Sequence, residues 1–173
     1  MNISIRPEDP ADIDEIYELN TLVFGQDKEA RLVDHVRHGS GFIPELSLVA
    51  VSDEKIIGYI LFARIMIANG DNRYESLGLS SIMVHPEWQR RGVGAKLITN
   101  GLQKATDLGF TSVLALGYEY YFPRFGFLPA VKWHIKPPFD VPADVFMALE
   151  LVPNALLNVS GIVEFPLEAS SVM

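Results

Sequence analysis

The densest chemistry in the chain lies in VHPEWQRRGVG, residues 84–94. Gly92 and Gly94 stand beside the paired cations Arg90 and Arg91, and AKLITNGLQKATDLG follows with helical spacing. Glycine weakens a helix start and cations sit badly on its positive end, so the arrangement makes sense around a bound anion. Glycines let the main chain approach a ligand, and the amides of a helix's first turn then face its oxygens. Amides and helix dipole together favour phosphate or pyrophosphate, with Arg90 and Arg91 adding charge at the rim. The alternative is a tight turn whose glycines serve packing alone. A Walker loop needs a Gly-Lys-Ser/Thr that is missing here, and a dinucleotide loop needs a third glycine where Leu97 stands. What remains is Gln89-x-x-Gly92-x-Gly94.

Groups able to move protons are scattered. The stretch YEYYFPRF brings Tyr118, Tyr120, Tyr121 and Arg124 together, either beside a site or as a core anchor. Glu45, Glu75 and Glu119 are candidate bases that also read as surface carboxylates. His85 has a suitable unperturbed pKa but sits beside Pro86, where loop packing is the competing role. His35 and His38 share a helix face without a third ligand, so no metal is expected.

These residues need elements to position them. NISIR alternates as a short strand, and apolar positions from Ala11 to Val23 recur at helical spacing. DKEARLVDHVRHGSG predicts a second helix with Leu32, Val33 and Val36 inward. LSLVAVS and KIIGYILFARIMI form a hairpin about SDEK, and YESLGLSSIMVHP is the next strand. The helix after the glycine loop runs to about Leu108, with Gly109 as its cap. SVLALG is a fifth, buried strand, and the aromatic stretch is a short helix or turn closing at Gly126. Strands are expected at 131–135 and 145–151, with SGIVEF as one more. The expected fold is an α/β domain with a mixed, mostly antiparallel sheet flanked by helices.

Composition sets the frame. The chain has 173 residues, suited to one domain over 1–173, and its 14 Lys+Arg against 22 Asp+Glu give a net charge of −8. That balance opposes nucleic-acid binding. With no cysteine there is no disulfide and no thiolate nucleophile. No apolar run reaches the roughly 20 residues of a membrane span, and the first residues lack a signal peptide's apolar core. A cytoplasmic protein without membrane attachment, monomer or homodimer, is expected.

The loop in this context, with EARLVDHVR, ELSLVAV, IIGYILF, LALGYEYYFPRFGF, FMALELVPNAL and SGIVEF, resembles the GNAT superfamily of acetyl-CoA-dependent N-acyltransferases, in its YhbS-like bacterial branch. The resemblance covers nearly the whole chain. It implies a sheet splayed between the fourth and fifth strands, with the backbone of Ile82, Met83 and Val84 pairing with the pantetheine arm. It implies that the amides of Gln89, Arg90, Arg91, Gly92, Val93, Gly94 and Ala95 hold the pyrophosphate. The acceptor would be a primary amine, on a small molecule or a protein, attacking acetyl-CoA directly. A backbone amide near Val84 would polarise the thioester carbonyl. In many relatives the acid that protonates the thiolate is a tyrosine four residues before the glycine of the final Gly-Phe, a position that holds Phe122 here. Tyr121 is then the catalytic candidate if the local turn brings it round, and water is the other. A non-catalytic acyl-CoA sensor of the same fold is the alternative function.

Overall fold

The computed structural model describes residues 2–117 and 121–165. Three helices carry the expected amphipathic stripes: α1 (Ile13–Phe24), α2 (Lys28–Arg37) and α3 (Val93–Asp107). Each strand of the expected hairpin is long. β2 (Phe42–Ser52) and β3 (Lys55–Asn69) pair antiparallel, and β3 pairs again with β4 (Asn72–Val84). β1 (Ser4–Pro7) edges β2. β5 (Ser112–Leu116) lies parallel to β4, with the crossover made by α3, and β8 (Phe146–Glu150) returns antiparallel beside it.

The segment expected to be a strand at 131–135 is different. Two-residue strands β6 (Leu128–Pro129) and β7 (Ile135–Lys136) flank a 3-10 turn at Ala130–Trp133. The alternation of Val131, Trp133 and Ile135 mimics a strand, but His134 takes a left-handed conformation (φ 57°) that ends the turn and breaks any ladder. SGIVEF does become β9 (Gly161–Glu164). It pairs with the outer half of β3, at Met66 to Ala68, beyond where β2 leaves off at Ala63.

β3 reads as a near-continuous apolar run because both of its faces are covered. Ile60 and Phe62 pack under α3 with Leu97, Ile98 and Ala105. Tyr59, Leu61 and Ala63 face the other way, against Ile16 and Leu19 of α1 and Val33 and Val36 of α2. Gly101 shows how closely α3 lies on the sheet: a methyl group there would come within 2.3 Å of the Phe62 ring.

Polar latches join α1 and α2 to the strands. The Arg6 guanidinium donates to both oxygens of Asp12, at 2.7 and 3.2 Å, tying β1 to the turn that opens α1. That hydrogen bond, with the amide of Asp9, holds the Asp12 carboxyl below its ordinary value of 3.8 against the opposing effect of burial. The stability contributed by the ionised form is therefore full above that value and is lost as pH falls through the lower folded one. Urea melts repeated down to about pH 2 should show a steeper acid loss for the wild type than for Asp12→Asn. Equal acid limbs would contradict this reading.

Candidate functional site

β4 pairs with β5 only at Leu77, Gly78 and Leu79, opposite Val113, Leu114 and Ala115. Past that point the two parallel strands part, and a bulge at Ser80 marks the place. The β3 register jumps there, Leu61 facing Ser81 while Phe62 faces Leu79. Bulges bend a strand and re-aim its edge. Residues 80–84 of β4 thus run on along a cleft with no β5 partner.

Which backbone groups face that cleft follows from the hydrogen-bond alternation. The His85 amide donates to Ile57 O at 2.8 Å, so the opposed pair Val84–Gly58 is a non-hydrogen-bonded one. Ile82 and Val84 consequently turn their N–H and C=O groups toward the cleft, while those of Met83 go to Tyr59 on β3. The Met83 side chain is buried toward α1. Of the three expected edge residues, Ile82 therefore has both main-chain groups toward the cleft and Val84 its N–H, the Val84 carbonyl being taken by Gln89.

At the cleft's mouth the loop is built as its glycines suggest. His85 spends its ring on the loop itself, Nδ1 accepting from the Glu87 amide at 3.1 Å and capping the turn Pro86–Trp88. Gln89 donates from Nε2 to Val84 O at 3.1 Å, fastening the loop to the strand end. Arg91 lies 5.4 Å over the Trp88 ring. Arg90 (φ 64°) and Gly92 (φ 82°) are both left-handed, and Gly92 caps α3. The first bond within α3 runs from the Lys96 amide to Gly92 O, leaving the amides of Gly92, Val93, Gly94 and Ala95 ahead of the ladder. Such a nest at the positive end of a 15-residue helix suits a phosphate group.

Gly94 serves space rather than φ. A methyl group on it would lie 3.0 Å from the Tyr121 hydroxyl and 3.8 Å from Val84 Cγ2. The local turn therefore does bring Tyr121 round to the start of α3. Its ring is held edge-on to Phe125 at 5.4 Å between centroids, under the Arg124 guanidinium at 4.6 Å. Phe122, one residue on, points into the core and packs on Phe127. Tyr118, Glu119 and Tyr120 lie outside the described residues.

Other sequence candidates stand exposed or hold surface partners. Glu75 is exposed and paired with Arg64 at 2.9 Å. Glu45 is exposed on β2. His38 donates from Nδ1 to the Asp34 carbonyl at 2.7 Å, and no group of three metal-ligating side chains occurs among the described residues.

Sequence reasoning missed the far side of the splay. Two adjoining cavities open there, under α1 and α2. One, of about 150 Å³, is lined by Phe24, Glu29, Ser80, Ser81 and Ile82 among others. The second, of about 260 Å³, is apolar and reaches to Phe139, Phe146 and Val163 from the C-terminal region. Asn20, one turn before Phe24 on the same α1 stripe, is fully buried, with neither amide atom bonded among the described residues.

A mixed sheet that splays at a bulged strand, with a glycine loop and a helix start at its mouth, is the acyltransferase architecture of the GNAT fold. The chain belongs to that family: residues 13–127 match the acetyltransferase (GNAT) family. It is 34% identical over 137 residues to an uncharacterized N-acetyltransferase, YjhQ, of Escherichia coli K12, covering 79% of this chain and 76% of that one. It is 31% identical to another, YhbS of the same strain, over 93% of this chain and 95% of the relative. The crystal structure of Escherichia coli YhbS in complex with CoA superposes with a TM-score of 0.90, at 27% identity, over 98% of this chain and 93% of that one. A GNAT family acetyltransferase from Brucella melitensis in complex with acetyl-CoA gives 0.78 at 28% identity, over 96% and 97%.

Proposed function

We propose that the protein transfers an acetyl group from acetyl-CoA to a primary amine, in a ternary complex and in the cytoplasm. The observation that carries this is the continuity of the open β4 edge with the amide nest of α3, with the Tyr121 hydroxyl between them at Gly94. Ile82 and Val84 would take the pantetheine amides as an added strand would, and the amides at 92–95 would take the pyrophosphate, with Arg90 at its rim. Those contacts are main-chain, which is why residue size and φ matter more there than side-chain chemistry. The donor supplies an activated acyl group whose thioester carbonyl develops negative charge under attack. A cleft-facing backbone N–H near Val84 would stabilise it, Ile82 and Val84 being the two that turn that way. As the C–N bond forms, the C–S bond breaks, the amine gives up a proton, and the thiolate takes one from the Tyr121 hydroxyl or from water. A cysteine-linked acyl-enzyme is excluded by composition.

Incubation with acetyl-CoA and a panel of amines, followed by free thiol, tests the proposal. Absence of both turnover and CoA binding would defeat it. The sensor reading is favoured by one observation, that the expected acid position holds Phe122, 1% exposed, whose side chain carries no proton to give. Tight CoA binding with no transfer to any amine would select it.

Tyr121→Phe separates the roles further. If the hydroxyl is the acid, kcat should fall on the order of a hundredfold and lose its alkaline limb, while the affinity for CoA barely moves. An unchanged kcat would assign the proton to water.

A further inference from the structure

The two cavities on the α1–α2 side carry an inference about the acceptor, and it rests on the acetyl-transfer reading above. They share Leu32, Leu79, Ser80 and Leu116, so they meet where β4 and β5 part, which is where an amine must approach the thioester. In the smaller cavity Glu29 is the one charged residue of the lining among the described residues. Its carboxylate accepts from the neutral Gln26 amide at 3.0 and 3.1 Å, and its residue is only half-exposed. In the larger, residues such as Val36, Ala63, Ile65 and Leu114 present an apolar wall. The rim is apolar as well: Phe24 (39% exposed), Leu116 (46%) and Phe139 (41%) leave large hydrophobic surfaces at the openings.

We infer that the acceptor is an amphiphilic primary amine: Glu29 takes its ammonium, and the 260 Å³ pocket takes an attached hydrocarbon or aromatic group. A carboxylate in the adjoining smaller cavity selects between the two occupants an apolar pocket beside a thioester could have. A longer acyl chain has no cation for it, whereas a protonated amine does. The net charge of −8 favours the approach of the same cation. Phe139, Phe146 and Val163 bring the segments after β7 into the lining, so the C-terminal region helps to set the acceptor's apolar end.

The test uses the full chain with acetyl-CoA, comparing phenethylamine and hexylamine with ethanolamine by thiol release, and CoA binding by calorimetry. The apolar amines should exceed ethanolamine in kcat/KM by more than about tenfold. Phe139→Asp should raise KM for the apolar amines several-fold and leave CoA affinity unchanged. Glu29→Gln should raise KM for every amine with CoA affinity again unchanged. With CoA bound and ethanolamine used as well as hexylamine, the inference is overturned while the acetyl-transfer reading stands. It is overturned equally if hexanoyl-CoA outcompetes acetyl-CoA as donor to ethanolamine, because the pocket then holds the acyl chain. Failure of CoA to bind at all would remove the underlying reading, and this inference with it.

Discussion

Gly94→Asp should weaken CoA binding by more than about tenfold, or about 1.4 kcal/mol, in a calorimetric titration. Two effects add at that position. The new Cβ would stand 3.0 Å from the Tyr121 hydroxyl, tighter than ordinary contact, so either Tyr121 or the first turn of α3 must shift. The carboxylate would then place a negative charge beside the amides that are to hold a pyrophosphate, reversing the local field. Gly92→Asp should act comparably through a different cause. The space around Gly92 is open, but its φ of 82° strains any L side chain by roughly 1–3 kcal/mol. Arg90→Ala is the control and should do less, since an exposed rim cation is screened by salt. Losses within about threefold, or about 0.7 kcal/mol, for both glycine variants would put the cradle elsewhere.

Arg37→Leu should cost the fold about 3–5 kcal/mol, the largest stability effect expected of a single change here. Arg37 is 8% exposed at the end of α2 and grips Glu8, itself 7% exposed, with Nε at 2.7 Å and Nη2 at 3.0 Å. Asp34 accepts from the same guanidinium at 2.6 Å. Glu8 also accepts from the buried hydroxyls of Ser47 and Tyr59. Burial alone would lower the Arg37 pKa, yet the hydrogen bond to Glu8 and its charge outweigh that and raise it. The Tyr59 phenol is pushed up first by burial and then by the Glu8 charge, so it stays a neutral donor. Removing the cation leaves Glu8 with hydroxyl donors but no counter-charge. The melting temperature should drop by roughly 10 °C, at about 2–4 °C per kcal/mol for a chain of this size. The double variant Glu8→Gln/Arg37→Leu should recover much of it. A drop of only a degree or two would mean that water reaches Glu8 and screens it.

The build of the glycine loop was legible because its signals are local. The glycines of QRRGVG announce a tight turn and an exposed helix start within six positions, and Pro86 follows closely on the strand's end at Val84. Tyr121 against Phe122 was not legible, since which of two adjacent aromatics meets α3 depends on the turn at Phe122–Phe125 and on Gly94 across the cleft. Glu29 sits in EARLVDHVR, where its polarity looks like an ordinary solvated helix face. Its role depends on residues about fifty positions away on β4. The apolar pocket is assembled from α2, β3, β4, β5 and the C-terminal segments, so no window of sequence contains it. Gly101 left a usable trace, because a glycine inside a helix often marks close packing. The strand expected at 131–135 failed for a local reason that alternation cannot reveal, the left-handed turn at His134.

Amide hydrogen exchange, resolved residue by residue with and without saturating acetyl-CoA, tests most directly whether main chain forms the cradle. The amides of Val84 and of 92–95 should exchange markedly more slowly with acetyl-CoA present. The Met83 amide, already paired with β3, should change little. Unchanged exchange at Val84 and 92–95 under saturation, or protection confined to other segments, would contradict a main-chain cradle.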